Sequence, residues 1–445
     1  MWPFQKIVQP SVPLSFTDTH RNRLHFIAGC MGSTGDVLPL VTVAACLRQR
    51  GHQVTLVAPP MCEMTAERYR LSFVPVSTPD SYRRSMEDFF LCCTRYAPLF
   101  LIRHAIEWNR VFYQTARSLA TPNMVILTVH LGFIWADYIM HAQFGTATLR
   151  VQFDPPAPAG LPAGMPLLPS GRVQASLLAR FDREWAHSVN GDGVRQRHHL
   201  WQRMWRAASS IPRLGLYPDW LATTKSSTRI RTLGFVKPLN LDREVYQLPF
   251  DITPAERLIV FVAGTMGCTA SWSQEFYSVS AEICNRLGCK GILLGLNSPK
   301  DIARLGRRIV WCEFAPLDQI LPHASVLVHH GGAGTAAAAI ASGVPQLVVP
   351  RFGQQPGTAE HLRRLGVAIV LHPQAYTVQR STASIRALLE DDIYRSRSIS
   401  LALRPNSFDS TARICDHLEA RFGAVLEPPD RRDRNRCGWK SGTVS

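Results

Sequence analysis

The stretch HHGGAGTAAAAIASGVPQLVVPRFGQQPGTAEHLRRLG, residues 329–366, decides the fold expected of this chain of 445 residues. Its glycine-rich turn at residues 331–334 lets backbone N–H groups approach an anion without interference from Cβ atoms. The alanine-rich run that follows, residues 336–341, favours a helix, whose N-terminus carries partial positive charge and unpaired N–H groups. Residues 344–350 then have the apolar composition of a buried strand. This order predicts a phosphate-type anion site in an α/β domain.

Two series of alternating strands and helices organise the chain. The first begins with a predicted strand at residues 24–28, a helix at 38–49 and a strand at 53–58, and the second begins with a strand at 258–262. The fold class predicted is α/β, with ligands bound at the carboxyl ends of parallel strands. We expect a flexible N-terminal extension at residues 1–22, an N-terminal Rossmann-like domain at 23–235, a linker at 236–254, a C-terminal Rossmann-like domain at 255–426 and a flexible basic tail at 427–445.

The amino-acid composition limits which binding partners and which cellular compartment are expected. The 49 Lys and Arg residues exceed the 33 Asp and Glu residues, but the excess is scattered, which favours a solvated surface and no nucleic-acid partner. The 11 cysteines show no metal-binding spacing, so reduced thiols, no metal and a cytoplasmic protein are expected. The sequence shows no signal or transmembrane pattern. Because the net charge is +16, peripheral contact with the inner face of an anionic membrane stays open as an alternative.

A second glycine-rich turn, GCMGSTGDVLP at residues 29–39, follows the first predicted strand. Asp36 has two interpretations here, the N-cap of the helix at residues 38–49 or a general base for an incoming hydroxyl group. The glycine pattern also suggests a dinucleotide site, which would make the chain an oxidoreductase. The second predicted strand, however, ends in Ala58 and Pro59 without the acidic residue that binds the ribose, so this is the weaker hypothesis.

Three other groups can carry chemistry. Gly264 and Thr265 can offer an N–H group and a hydroxyl group to a phosphate, although an ordinary strand-to-helix turn has the same composition. His330 can donate to a phosphate oxygen, and a core histidine is the alternative. Gln354 and Gln355 follow the predicted strand at the same sheet edge, where amides suit a hydroxylated ligand such as a sugar. A surface loop is the alternative there.

Together these motifs resemble the family 1 glycosyltransferases of the GT-B fold. Residues 330–366 are similar to the nucleotide-sugar signature H-G-G-x-G-T, G-V-P and D-Q-P, and residues 32–39 are similar to the G-[ST]-x-G-D-V-x-P opening of the bacterial and sterol-type branch. Segments 81–86 and 216–220 look like rhamnolipid-forming rhamnosyltransferases, and the antibiotic glycosyltransferases are similar as well. The resemblance implies two Rossmann-like domains that face an interdomain cleft.

The resemblance also implies a role for each matching residue. Asp36 would be the catalytic base, with Gly32 and Ser33 in the loop that lines the acceptor cleft. Phe314 would lie against the nucleotide base. The sugar would contact Gln354 and Gln355, although relatives usually have an acid at the first of these positions. The diphosphate would bind to Gly264, Thr265, His330, Gly332, Ala333, Gly334 and Thr335.

The activity implied is inverting transfer of a sugar from a UDP- or dTDP-sugar to a hydroxyl group of an apolar small molecule or lipid. The nucleotide sugar is then a co-substrate, and no cofactor or metal is expected. Two other classes stay open. A GT-B-like sugar-nucleotide epimerase would share the phosphate site, and a non-catalytic protein would bind the nucleotide sugar or a lipid without transfer.

Overall fold

Both predicted α/β halves form parallel sheets, which confirms the expected pair of Rossmann-like domains. The structure is a computed structural model. It describes residues 23–32, 34–92, 104–129, 133–142, 144–156, 210–221, 230–237, 246–253, 256–264, 270–295, 298–300, 308–351, 353–405 and 407–423. Outside the described residues lie the predicted extension at 1–22, the basic tail at 427–445, part of the predicted linker, Ser33 and Thr265.

The first sheet has seven strands in the order β3-β2-β1-β4-β5-β6-β7. Strand β1 lies inside the sheet and pairs in parallel with β2 on one side and β4 on the other. Its residues are all buried, as expected for a parallel strand covered on both faces. The strands are β1 His25–Gly29, β2 Gln53–Ala58, β3 Ser72–Pro75, β4 Met124–Val129, β5 Ala147–Gln152, β6 Arg213–Gly215 and β7 Ile230–Thr232.

The second sheet has six parallel strands in the order β10-β9-β8-β11-β12-β13. This is the doubly wound order, and the direction of winding reverses between β8 and β11. Ligands in such sheets bind outside the carboxyl ends of the strands at that point. The strands are β8 Leu258–Val262, β9 Lys290–Leu294, β10 Ile309–Cys312, β11 Val326–His329, β12 Gln346–Val348 and β13 Ala368–Val370.

Helices cover the sheets. The first half has α1 Thr34–Gln49, α2 Glu63–Arg68, α3 Pro79–Cys92, α4 Ile106–Ser118 and α5 Ile134–Ala142. The rest are α6 Ala270–Leu287, α7 Leu317–Ile320, α8 Ala333–Ala341, α9 Gln355–Arg364, α10 Val378–Glu390, α11 Asp392–Ala402 and α12 Thr411–Gly423. In the described part of the chain, no helix has both the length and the apolar composition that a bilayer span requires.

Two helices begin earlier than the sequence predicts. Helix α1 starts at Thr34 rather than at Leu38, and Pro39 lies inside it as the sixth residue. Asp36 is therefore the third residue of α1, and its interpretation as the N-cap is wrong. Helix α8 starts at Ala333, since Gly332 already has the extended backbone of an N-cap.

The two halves pack closely against each other. Ala333 of α8 packs on the apolar cluster of the first half that contains Val37. Tyr217 and Phe235 share another cluster with Ala336 of the same helix. Helix α12 also returns to the first half and packs against α1. These contacts join the two halves through α1, α8 and α12.

Candidate functional site

The predicted site residues follow the carboxyl ends of four strands. Asp36 follows β1 in the first half. Gly264 follows β8 and His330 follows β11, the two strands at which the second sheet reverses direction. Gln354 and Gln355 follow β12, which is the next strand along. The topology therefore gathers the predicted residues of the second half in the position where such sheets bind ligands.

The imidazole of His330 lies between two of the predicted glycines. A Cβ atom at Gly264 would stand 2.7 Å from Cε1 of His330, and one at Gly332 would stand 2.6 Å from Nε2. Gly264 also has φ +88°, a backbone conformation that favours glycine. Only glycine fits at either position without displacing the ring. The structure thus brings together three of the residues predicted to bind the diphosphate.

His330 is a neutral hydrogen-bonding group at neutral pH. Burial lowers its pKa to about 4, a hydrogen bond with the backbone of Val262 opposes this effect, and the charge of Arg351 lowers the pKa further. Its Nδ1 atom is buried and has no hydrogen-bond partner within the described part of the chain. A buried polar atom without a partner is costly, and a ligand that bonds to it would remove that cost.

His329 has a different role. Its side chain is fully buried, and its Nδ1 accepts the Gly331 N–H at 3.1 Å. Nε2 must then carry the proton, and it donates to Oε1 of Gln346 at 3.0 Å. Burial and the neighbouring His330 lower the pKa of His329 to about 3. His329 is therefore a core histidine that shapes the glycine-rich turn.

The N-terminus of α8 offers donors for an anion. Its N-cap is Gly332, and no side chain caps the first turn. The first backbone N–H groups of an α-helix have no partner inside the helix. These groups belong to Ala333, Gly334 and Thr335, which were predicted to bind the diphosphate. Together with the partial charge of the helix end, they form a site suited to phosphate oxygens.

The turn before Asp36 is held by Tyr82, which the sequence did not single out. Its buried hydroxyl group donates to the Gly32 carbonyl at 2.8 Å and accepts the Gly32 N–H at 3.0 Å. Gly32 has φ +111°, and a Cβ atom there would stand 2.7 Å from Oδ2 of Asp36. The carboxylate thus lies directly against a fixed turn. The resemblance at residues 81–86 contained the only sequence signal for this tyrosine.

The glutamine pair belongs to the start of α9 rather than to a loop alone. Gln354 is the exposed N-cap and Gln355 the first residue of the helix. Oε1 of Gln355 accepts the backbone N–H of Arg351 at 2.8 Å. A Cβ atom at Gly331 would stand 3.1 Å from the carbonyl oxygen of Gln355, so the pair lies next to the glycine-rich turn.

Arg351 is a second residue that the sequence reasoning missed. Its guanidinium lies 4.3 Å from the ring centroid of Trp272, and its charge acts on His330. A cation so close to a predicted diphosphate site adds to its attraction for anions. The available signal was a basic residue directly after Pro350, in the segment that carries the signature.

Phe314, the residue predicted to lie against the nucleotide base, is largely exposed. It follows β10, and 62% of its surface is exposed, which is unusual for a phenylalanine. The exposed ring is available to stack on another molecule. Its contact with a nucleotide base stays a prediction.

The chain is similar in sequence to known proteins. Residues 291–420 match the family model for the C-terminal domain of proteins like the erythromycin biosynthesis protein CIII. An uncharacterized glycosyltransferase of Mycobacterium tuberculosis is 24% identical over 425 residues, which cover 89% of this chain and 98% of that protein.

Solved structures share the fold. The kitacinnamycin glycotransferase has a TM-score of 0.66 at 20% identity and covers 90% of this chain and 99% of its own. A spinosyn rhamnosyltransferase, solved in complex with thymidine diphosphate, has a TM-score of 0.60 at 17% identity, with 89% of this chain and 100% of its own covered. The same rhamnosyltransferase was also solved with spinosyn aglycone. The two-domain architecture is thus the GT-B fold.

Proposed function

We propose a reaction for a chain whose family match, relatives and fold all support a GT-B family 1 glycosyltransferase of the antibiotic type. The reaction moves a sugar from a UDP- or dTDP-sugar to a hydroxyl group of an apolar small molecule or lipid. The anomeric carbon is inverted in the process.

One observation carries the proposal: His330 is enclosed by Gly264 and Gly332 at the uncapped start of α8, and α8 contacts the helix that carries Asp36. The phosphate-binding features and the carboxylate come from different halves of the chain. A nucleotide sugar held by α8 would therefore present its reacting carbon toward the first half. This is the arrangement that sugar transfer to an acceptor in the first half requires.

Asp36 acts as the general base in this proposal. Its carboxylate takes the proton of the acceptor hydroxyl group while that oxygen attacks the anomeric carbon. The bond from this carbon to the phosphate oxygen breaks on the opposite face, and the nucleoside diphosphate leaves with the electron pair. General-base assistance of this kind typically contributes about 10²–10⁴ in rate.

The second half stabilises the leaving group. Negative charge develops on the β-phosphate, where the N–H groups of α8 can donate hydrogen bonds and the partial positive charge of the helix end stabilises the anion, with His330 beside them. Arg351 adds a full positive charge nearby. We assign this stabilisation to the protein alone, so activity should be the same with and without excess EDTA.

Solved structures of the same fold support the proposed classes of nucleotide and acceptor. The spinosyn rhamnosyltransferase of the same fold was solved with thymidine diphosphate and with an aglycone. The net charge of +16 supports a further proposal, that the protein contacts anionic membrane surfaces from which it takes a lipid acceptor. Sedimentation with anionic vesicles at low salt tests it, and no binding would contradict it.

The experiment that tests the function is a panel of nucleoside diphosphates and nucleotide sugars. Ligands that bind the folded state raise its melting temperature, and dTDP or UDP should do so more than GDP or NAD. The best nucleotide sugar is then incubated with apolar hydroxylated acceptors, and the products are followed by NMR. A β-product from an α-linked nucleotide sugar supports the proposal. Conversion of the nucleotide sugar without an acceptor would indicate an epimerase, and binding without any conversion would indicate a non-catalytic protein.

A further inference from the structure

A second carboxylate lies near Asp36 and bridges the two halves of the chain. Asp154 follows β5 at the same sheet edge at which Asp36 follows β1. Its Oδ1 atom accepts the hydroxyl group of Thr358 at 2.9 Å. Thr358 is a buried residue of α9 in the second half. One hydrogen bond therefore joins the acceptor half to the helix that begins at the glutamine pair.

A second contact holds the same two segments together. Nε2 of the buried His361 donates to the carbonyl oxygen of Pro156 at 3.0 Å. Thr358 and His361 are three residues apart on α9 and therefore lie on one face of the helix. Gln152 fixes the other side, because its Nε2 atom donates to the backbone carbonyl oxygen of Asp154 at 2.6 Å. The segment 154–156 is thus docked on α9 at two points.

Thr358 connects this contact to the predicted sugar site. Its backbone N–H donates to the carbonyl oxygen of Gln354 at 3.1 Å, and its hydroxyl group lies 3.4 Å from the same oxygen. Gln354 and Gln355 are the residues expected to hold the sugar. Asp154 is therefore one side chain away from the turn that carries them.

Burial and neighbouring charges shift the pKa of Asp154. Burial raises its pKa to about 7, the hydrogen bond from Thr358 opposes the rise, and the charge of Asp36 adds to it. Tyr217 is another titratable neighbour, and burial together with Asp154 raises its pKa to about 12. Asp36 and Asp154 are thus close enough to influence each other.

We propose that Asp154 is a positioning residue that, through Thr358, fixes the sugar-binding turn at Gln354 and Gln355 relative to the base Asp36. This inference rests on the proposed glycosyl transfer and adds a specific part to it. Asp154 needs no contact with the substrate for this role. Correct placement matters because a reacting carbon that is displaced by about 1 Å can lose on the order of 10² in rate.

The test compares disruptive variants with conservative ones. Asp154→Ala and Thr358→Val each remove the hydrogen bond, and each should lower kcat for transfer about tenfold. Asp154→Asn keeps an acceptor oxygen and Thr358→Ser keeps the hydroxyl group, so both should stay within about threefold of the wild type. The double variant Asp154→Ala/Thr358→Val should lose no more than either single variant, since both remove one interaction.

Three outcomes would overturn the proposal. Losses that multiply in the double variant would mean that the two side chains act independently. An Asp154→Asn variant as impaired as Asp154→Ala, with Thr358→Val unimpaired, would mean that Asp154 acts through its charge. Wild-type kcat in both disruptive variants would remove the role altogether. If Asp154→Ala does not fold, the isosteric Thr358→Val and its partner Thr358→Ser decide the matter by themselves.

A binding measurement separates this proposal from the proposed function. By calorimetry, Thr358→Val should weaken binding of the nucleotide sugar about fivefold and leave binding of the free nucleoside diphosphate unchanged. This difference can be measured even if the wild type transfers no sugar. In that case the proposed function would be wrong, while the role of Asp154 in positioning the sugar site would still stand. Equal affinities of Thr358→Val and wild type for the nucleotide sugar, with active wild-type protein, would reject the role of Asp154 alone.

Discussion

Gly264 and His330 follow neighbouring strands of the second sheet, and a Cβ atom at Gly264 would stand 2.7 Å from the imidazole. The imidazole therefore occupies the space that a side chain at position 264 would need. It also has φ +88°, which a residue with a Cβ atom adopts at a cost of roughly 1–2 kcal/mol. The pair defines the centre of the proposed diphosphate site.

Gly264→Ala should accordingly displace His330 and weaken binding of dTDP or UDP at least tenfold. Gly51→Ala is a matched control, because Gly51 has φ +93° with nothing near its Cβ position. Both variants should lose stability through backbone strain, but only Gly264→Ala should lose affinity in calorimetry. Equal affinity losses in the two variants would show that strain, and not the contact with His330, is responsible.

His330→Ala should weaken nucleoside diphosphate binding about tenfold, and by the same factor at pH 6 and at pH 8. The reason is that the pKa of His330 is lowered to about 4, so the ring has the same neutral form at both pH values. Calorimetry at the two pH values measures this, with the surface variant His323→Ala as control. A loss confined to pH 6 would mean that the ring binds the diphosphate as a cation.

Arg351→Met should weaken nucleoside diphosphate binding several-fold at low salt and less at high salt, since ions screen its charge. Arg404→Met is the matched control, because Arg404 also lies over a tryptophan, 5.2 Å from the centroid of Trp220. That variant should bind within twofold of the wild type. A salt-independent loss in Arg351→Met would point to lost packing on Trp272 instead of a lost charge.

Gln354→Asp restores the acid that relatives usually have and should change the preferred sugar or its affinity about fivefold. A carboxylate accepts hydrogen bonds roughly twice as strong as those of a neutral amide, a difference of about 1 kcal/mol. Competition between two nucleotide sugars in one reaction measures the preference. Gln374→Asp, in the short helix Pro373–Ala375, is a control for the added charge. An unchanged preference and affinity in Gln354→Asp would mean that this side chain does not touch the sugar.

The sequence predicts the parts of the fold that depend on local patterns. The buried apolar run of β1 and the glycine-rich turn after β11 each identify an element of the fold within a few residues. The predicted start of α1 lies four residues too late, because Gly35 and Asp36 are residue types that favour turns and caps, whereas the helix already includes them. Local patterns thus locate elements better than they locate their ends.

The missed residues of the site depend on contacts between distant parts of the chain. Asp154 and Thr358 are separated by 204 positions, and Tyr82 reaches back 50 positions to Gly32. No spacing rule relates such pairs, because only the folded sheets bring them together. Arg351 lies within the signature itself, but its stacking on Trp272, 79 positions away in α6, follows only from the folded structure.

Asp36 as the general base is the central part of the proposed reaction, and turnover by Asp36→Asn with saturating nucleotide sugar tests this directly. The amide keeps the shape of the side chain but cannot take the proton of the acceptor hydroxyl group. Transfer should fall by about 10²–10⁴, while calorimetry shows unchanged affinity for the nucleotide sugar. Asp80→Asn, on the exposed start of α3, should keep full turnover. Wild-type turnover in Asp36→Asn would contradict the account.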